Sequence, residues 1–69
     1  MVFLNGRHNH LTIDHAGRRW AGDWRLTAQG VAVSSAYGSA VKPAGRCTPE
    51  RRAELILRDL VDAWRAKPR

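Results

Sequence analysis

The chain has 69 residues, and its 12 lysines and arginines against six aspartates and glutamates give a formal net charge of +6. A chain of this length forms at most one small domain, spanning residues 1–69. The single cysteine, Cys47, excludes an internal disulfide, and no run of about 20 apolar residues is present that would cross a membrane. The apolar start MVFL is shorter than a signal-peptide core, which needs about 7–15 apolar residues. We therefore expect a cytoplasmic protein without a membrane segment.

Residues 1–9 have two interpretations. The pair Asn5-Gly6 is typical of a two-residue hairpin turn, which would let an extra N-terminal strand at residues 2–4 pair with the chain near His8. Chain termini are also often poorly ordered unless packing ties them down. We expect residues 1–9 to be loosely ordered and keep the extra strand as the alternative.

Three strands are predicted next, near residues 10–16, 18–28 and 31–38. In the second of these, apolar or small residues alternate with polar ones, which is the pattern of a half-buried strand. The apolar side carries Trp20, Gly22, Trp24 and Leu26. Because alternate side chains of a strand share a face, the two tryptophans lie on the same side, about 13 Å apart. We expect both to be core residues.

The connections between these strands are short, which favours an antiparallel meander. An alanine-glycine pair supplies the first turn, and the segment TAQG at residues 27–30 supplies the second. The third strand then ends the sheet, so Val31 and Val33 are expected on an unprotected edge. The segment GSAVKPAGRC, residues 38–47, contains two glycines and a proline and is expected to be a loop. Residues 10–47 thus form the sheet and this loop.

A helix is predicted near residues 49–66, so that residues 48–69 comprise the helix and a basic tail. Thr48 precedes it as a capping residue, because its hydroxyl can accept from a free amide of the first turn. Pro49 suits the first helical position, where no backbone donor is lost. At 100° per residue, one side of the helix is an apolar stripe. The stripe consists of Ala53, Ile56, Leu57, Leu60, Val61 and Trp64.

Together these elements predict an α+β fold. It is a three-stranded antiparallel β-meander with the C-terminal amphipathic helix packed on the tryptophan-bearing face, in the order β-β-β-α. This order is similar to that of AP2-type and integrase arm-type DNA-binding domains, which implies a sheet that contacts DNA. The similarity covers the order of the elements and no sequence motif.

The basic charge is concentrated in residues 1–47, which hold six basic and two acidic side chains, whereas the predicted helix holds four of each. The candidate nucleic-acid-binding residues are Arg18, Arg19, Arg25, Lys42 and Arg46. Arg19 and Arg25 project from the exposed sheet face in the predicted fold, and a β-sheet can enter the major groove of DNA. The alternative is an ordinary solvated face, because Asp14 and Asp23 dilute the positive charge.

Residue types that carry catalysis or bind metals do not form a recognisable set. His8 and His10 share one side of an extended chain, but strand alternation places His15 opposite His10. Cys47 lies just before the predicted helix N-terminus and is the one thiol that could act as a nucleophile. A nucleophile also needs a base and an oxyanion site, and nothing in the sequence supplies them. We therefore expect no enzyme activity, no cofactor and no metal.

Leu55 lies on the otherwise polar side of the predicted helix, among Arg51, Arg58 and Asp62. A single exposed leucine needs no explanation, but beside an open sheet edge it is a candidate interface residue for a homodimer or another protein. The sequence thus predicts a small basic non-catalytic binding module. The leading interpretation is a nucleic-acid-binding accessory protein that uses the exposed sheet face. The alternative is a protein-interaction or homodimerising domain.

Overall fold

The computed structural model of the protein describes residues 9–67 and has the predicted α+β architecture, with four strands in the sheet. The elements are β1 (Asn9–His15), β2 (Arg18–Thr27), β3 (Gly30–Ser35), β4 (Gly38–Lys42) and α1 (Pro49–Ala66). Neighbouring strands are antiparallel, and their order β1-β2-β3-β4 makes the sheet a meander. The hypothetical N-terminal strand at residues 2–4 lies outside the described residues.

The fourth strand lies where the sequence predicts a loop. Of residues 38–47, the first five form β4 and pair with β3, so the connection to the helix is shorter than expected. β3 is consequently an inner strand, and the expectation that Val31 and Val33 lie on an edge is wrong. Both valines are instead almost completely buried between the sheet and the helix.

Two turns of the same construction produce this meander. In the turn between β2 and β3, Thr27 Oγ1 accepts from the Gln29 amide and donates to the Gly30 carbonyl, both at 3.1 Å. In the turn between β3 and β4, Ser35 Oγ makes the equivalent bonds: it donates to the Gly38 carbonyl at 2.9 Å and accepts from the Tyr37 amide at 3.2 Å. Both glycines have positive φ, +131° and +138°, which side-chain-bearing residues rarely adopt. The second turn is therefore a repeat of the first, eight residues along the chain.

The helix covers the tryptophan-bearing face of the sheet, as the sequence predicts. It begins at a capped N-terminus, where Thr48 Oγ1 accepts from the Arg51 amide at 3.2 Å. The buried core comprises Leu11, Trp20, Trp24, Val31, Val33, Ala53, Ile56, Leu57 and Val61. Trp20 and Trp24 are only 2% and 8% exposed, which confirms both as core residues.

Three aromatic rings cluster at the end of the sheet that carries the β1–β2 and β3–β4 turns. The ring centroids of Trp20, Tyr37 and Trp64 lie 5.1 to 5.9 Å apart, in edge-to-face arrangements. Such pairs contribute about 0.5–1.5 kcal/mol each beyond their buried area. Trp20 Nε1 also donates to the His15 carbonyl at 2.8 Å, so its buried polar atom has a partner. We call this cluster the aromatic end.

The helix-side face of β2 is partly shaped by a glycine. A Cβ atom at Gly22 would lie 2.9 Å from the Ser34 carbonyl oxygen and 3.5 Å from Leu57 Cδ1, so the glycine permits a close approach. Leu26 continues the same face, because it pairs with the buried Val31. It is nevertheless 62% exposed. The apolar face of β2 therefore extends further than its buried part, towards the end of the sheet opposite the aromatic cluster.

Candidate functional site

The open face of the sheet, on the side away from the helix, carries balanced charge. Among residues 9–67, its charged side chains are two arginines and two aspartates, Arg19, Arg25, Asp14 and Asp23. Arg19 Nε donates to Asp14 Oδ1 at 3.3 Å, and His10 Nδ1 lies 3.6 Å from Asp23 Oδ1. Both pairs are exposed, so each contributes little to stability. The centre of the sheet face is therefore not a positive surface.

The described part of the open face also has no exposed aromatic ring on which a base could stack. Every described tryptophan, together with Tyr37, lies among or against the core residues on the helix side. Proteins that read single-stranded nucleic acid on a sheet stack the bases on exposed aromatic rings. Within residues 9–67, nothing on the open face can play this part.

Arg18 and Arg19 point to opposite sides of the sheet although they are adjacent in sequence. Arg19 is on the open face, whereas Arg18 is on the helix side, with its guanidinium carbon 4.8 Å from the centroid of the Trp20 ring. A cation at this distance from an indole face is attracted by the ring quadrupole, by about 0.5–1 kcal/mol at an exposed site. Both arginines at this end of β2 thus interact with other groups of the domain.

Arg25, Lys42 and Arg46 all lie towards the other end of the sheet, but Arg25 is on the open face, whereas Lys42 pairs with the buried Val31 and is on the helix side. Arg25 pairs with Ala32, and Ala32 pairs with Val41, the residue before Lys42. Arg46 follows in the loop after β4. Arg19 lies six residues from Arg25 along β2, about 20 Å away at the rise of a strand. The five predicted residues therefore form two separate groups.

A further cation, Arg52, joins this second group from the helix. Its Nε donates to the Ala44 carbonyl at 3.3 Å, so the first turn of α1 is tied to the loop that carries Arg46. We define the basic end as Arg25, Lys42, Arg46 and Arg52. Residues 42–52 hold four basic side chains and one acidic side chain, whereas residues 9–67 together hold ten basic and six acidic ones. Most of the net positive charge of residues 9–67 thus lies in residues 42–52.

Arg52 is not among the predicted binding residues, because the predicted helix holds equal numbers of basic and acidic side chains. The helix is neutral only as a whole. Its first two turns contain the pair Arg51-Arg52, while three of its four acidic residues come later in the chain. Arg51 Nη1 is paired with Glu54 Oε1 at 3.3 Å. The order of charges along the helix, rather than their sum, indicates that Arg52 belongs to a basic group at the helix N-terminus.

The loop of the basic end is held by close backbone contacts. A Cβ atom at Gly30 would collide with the Lys42 carbonyl oxygen and lie 2.8 Å from Pro43 Cα. Beyond that contact, the Cys47 amide donates to the Ala44 carbonyl at 3.2 Å and closes a turn before the helix. The glycine of the β2–β3 turn therefore fixes the point at which the chain leaves β4.

A histidine–aspartate pair connects the end of β1 to α1. His15 Nε2 donates to Asp62 Oδ1 at 2.6 Å. This hydrogen bond from His15 is the main reason that the pKa of Asp62 lies below its ordinary value, with smaller contributions from the positive charges of Arg58 and Arg65. The histidine side chain is 20% exposed and the aspartate 51%. The pair joins the first strand to the helix near the aromatic end.

Leu55 lines a groove between α1 and β1. The groove walls are Thr12, Ile13, Asp14 and His15 from the strand, and Arg51, Glu54, Leu55 and Arg58 from the helix. Leu55 is half-buried there, so the expectation of a fully exposed leucine is wrong. The helical wheel places it away from the apolar stripe, but the wheel does not show that this side of the helix lies along β1.

Comparison with protein-family models, with curated proteins and with solved structures gave no match for this chain. Within residues 9–67, no three histidine, cysteine, aspartate or glutamate side chains form a group that could hold a metal ion. The described helix is too polar to cross a lipid bilayer.

Proposed function

We propose that this protein is a small non-catalytic binding module that contacts nucleic-acid phosphates through its basic end. One observation carries the proposal. Within residues 9–67, no ion pair includes Arg25, Lys42 or Arg46, whereas Arg19 is paired with Asp14. Three of the five cations chosen from the sequence are thus unneutralised, and these three lie at one end of the sheet.

The arrangement favours contact with the phosphate backbone over recognition of bases. Arginine and lysine side chains provide the main phosphate contacts of nucleic-acid-binding proteins. The first turn of α1 adds the positive end of a helix dipole beside Arg46 and Arg52. The described open face has no aromatic ring on which bases would stack. We therefore propose sequence-independent binding to a duplex.

Titration of a fluorescently labelled DNA duplex, followed by anisotropy at several salt concentrations, tests the proposal. Each neutralised phosphate contributes about −0.9 to the slope of log affinity against log salt on duplex DNA. Three or four contacts from the basic end give an expected slope near −3. Absence of binding at about 50 mM salt and tens of micromolar protein would overturn the proposal, because electrostatic binding is strongest at low salt.

A matched pair of variants separates a local site from general positive charge. Lys42→Ser with Arg46→Ser removes one lysine and one arginine from the basic end. Arg65→Ser with Lys67→Ser removes the same two residue types from the other end of the helix, and all four side chains are exposed. We expect the first variant to reduce the magnitude of the salt slope by about 2 and the second to change it little. Equal losses in both variants would contradict a site at the basic end.

A further inference from the structure

The two edges of the sheet differ in how they are protected. β4 has five residues and is followed at once by a proline after Lys42, and short strands, lysine and proline are common means of blocking edge pairing. β1 has seven residues and contains neither lysine nor proline. Among the described strands, β1 pairs only with β2, on one side. The β1 edge is therefore the one that offers a backbone to another strand.

The sequence of β1, NHLTIDH, is complementary to itself when it is read in the opposite direction. With Thr12 opposite Thr12 of a second, antiparallel copy, Leu11 lies opposite Ile13 and His10 opposite Asp14. The two threonine hydroxyls thus face each other, the apolar side chains face apolar ones, and each histidine faces an aspartate to which it can donate a hydrogen bond. Such cross-strand pairs contribute about 0.2–1 kcal/mol each relative to alanine pairs. An antiparallel partner with any other sequence would need to match this pattern by chance.

We propose that β1 pairs with β1 of a second copy of this chain, giving a continuous eight-stranded sheet with a two-fold axis at Thr12. An axis perpendicular to the sheet is the symmetry of an isologous dimer, in which each residue meets its symmetry mate or exchanges partners. Both helices then lie on the same side of the joined sheet. The dimer uses the β1 edge and does not depend on the proposed nucleic-acid contact.

The groove beside β1 supports the same interface. It runs between the strand and the helix, and two apolar side chains, Ile13 and Leu55, lie in its lining. In the joined sheet, the two grooves lie on either side of the β1–β1 junction. Each copy would then shield Ile13 and Leu55 of the other from solvent. Arg51 and Arg58 border the groove together with Glu54 and Asp14. This mixture of signs allows two identical surfaces to meet without net repulsion.

Sedimentation velocity of the full chain over a range of concentrations tests the dimer. We expect the wild type to approach twice the chain mass as concentration rises. Thr12→Lys places two like charges directly opposite each other at the axis, which destabilises the pairing. Ser39→Lys makes the same change at an exposed position of the β4 edge. We expect the first variant to remain monomeric and the second to dimerise like the wild type, with circular dichroism confirming that both fold.

A cross-link tests the register independently of affinity. In a Cys47→Ser background, Thr12→Cys places two thiols opposite each other across the axis, where facing Cβ atoms lie about 4.5–5.5 Å apart, close to the upper end of the range that a disulfide spans. Glutathione disulfide should therefore convert this variant to a covalent dimer, while Ser39→Cys in the same background stays monomeric. A wild type that is monomeric at several hundred micromolar would overturn the proposal. Equal cross-linking of the two variants, or unchanged dimerisation of Thr12→Lys, would also overturn it.

Discussion

At the aromatic end of the sheet several polar and charged groups have partners within the domain, whereas at the basic end three cations face solvent without an ion pair. Arg18 lies over Trp20, and the carboxylate of Asp62 accepts from His15. Arg25, Lys42 and Arg46 have no comparable ion pair within residues 9–67. The same strands run through both ends, but the basic end also includes the loop before α1 and its first turn. The aromatic end thus contributes packed and paired groups, and the basic end presents the cations on which the proposed binding depends.

The largest expected effect is at the buried tryptophans. Trp24→Ala should lower the free energy of unfolding by about 3–5 kcal/mol, as is typical when a buried tryptophan is truncated. A small domain has roughly 5 kcal/mol of total stability, so this variant should be largely unfolded. Urea denaturation followed by circular dichroism measures the loss. A variant that unfolds at the wild-type midpoint would show that the helix does not cover this face.

Next in size is a change that acts on the basic end through the backbone. Gly30→Ala should be destabilising, because its φ of +131° strains any side-chain-bearing residue by about 1–3 kcal/mol, and the new Cβ also meets Lys42 and Pro43. Gly17→Ala is the control, since φ is +76° but no atom lies within 4 Å of its Cβ. Thermal unfolding should show the larger decrease for Gly30→Ala. A smaller decrease than in Gly17→Ala would contradict the close contact with β4.

The histidine–aspartate pair at the aromatic end predicts a dependence on acid. The folded-state pKa of Asp62 lies below its ordinary value of 3.8, so the ionised carboxylate stabilises the folded state above that value. This contribution is lost as the pH falls from 3.8 through the folded-state pKa, because the unfolded state binds the proton first and is stabilised by it. Below the folded-state pKa both states are protonated, and the contribution is gone. Asp62→Asn should therefore lose less stability than the wild type over this acid range. Parallel acid-unfolding curves for the two proteins would contradict the prediction.

The smallest effect on stability is expected where the effect on binding is largest. Lys42→Ser with Arg46→Ser should change the free energy of unfolding by no more than about 0.5 kcal/mol, because exposed side chains without partners contribute little. Urea denaturation of this double variant provides the measurement. A loss comparable to that of Gly30→Ala would mean that these cations hold the loop in place and would remove the contrast between the two ends.

The fourth strand, β4, lies in a segment whose pattern predicts a loop. The segment TAQG was interpreted correctly as a turn, and SAYG has the same hydroxyl–alanine–X–glycine pattern eight residues later. Its hydrogen bonds are equivalent to those of the first turn. The strand after it, GSAVK, is short and has little apolar alternation, so its periodicity gave no signal. Comparison of the two turns, rather than of the strands, would have predicted β4.

The sequence by itself determined the pattern of the first three strands and of the helix. The alternation in β2 predicted Trp20 and Trp24 as core residues, and the stripe and capping residue predicted α1, because both periodicities follow from local backbone geometry. Only the tertiary structure decided which elements share an end or an edge. Strand register placed Arg25 and Lys42 towards the same end of the sheet and Arg19 towards the other. Within residues 9–67, β4 covered β3 and left β1 at an edge, and the helix placed Leu55 beside β1. These relations depend on contacts between residues distant in sequence, which no local periodicity encodes.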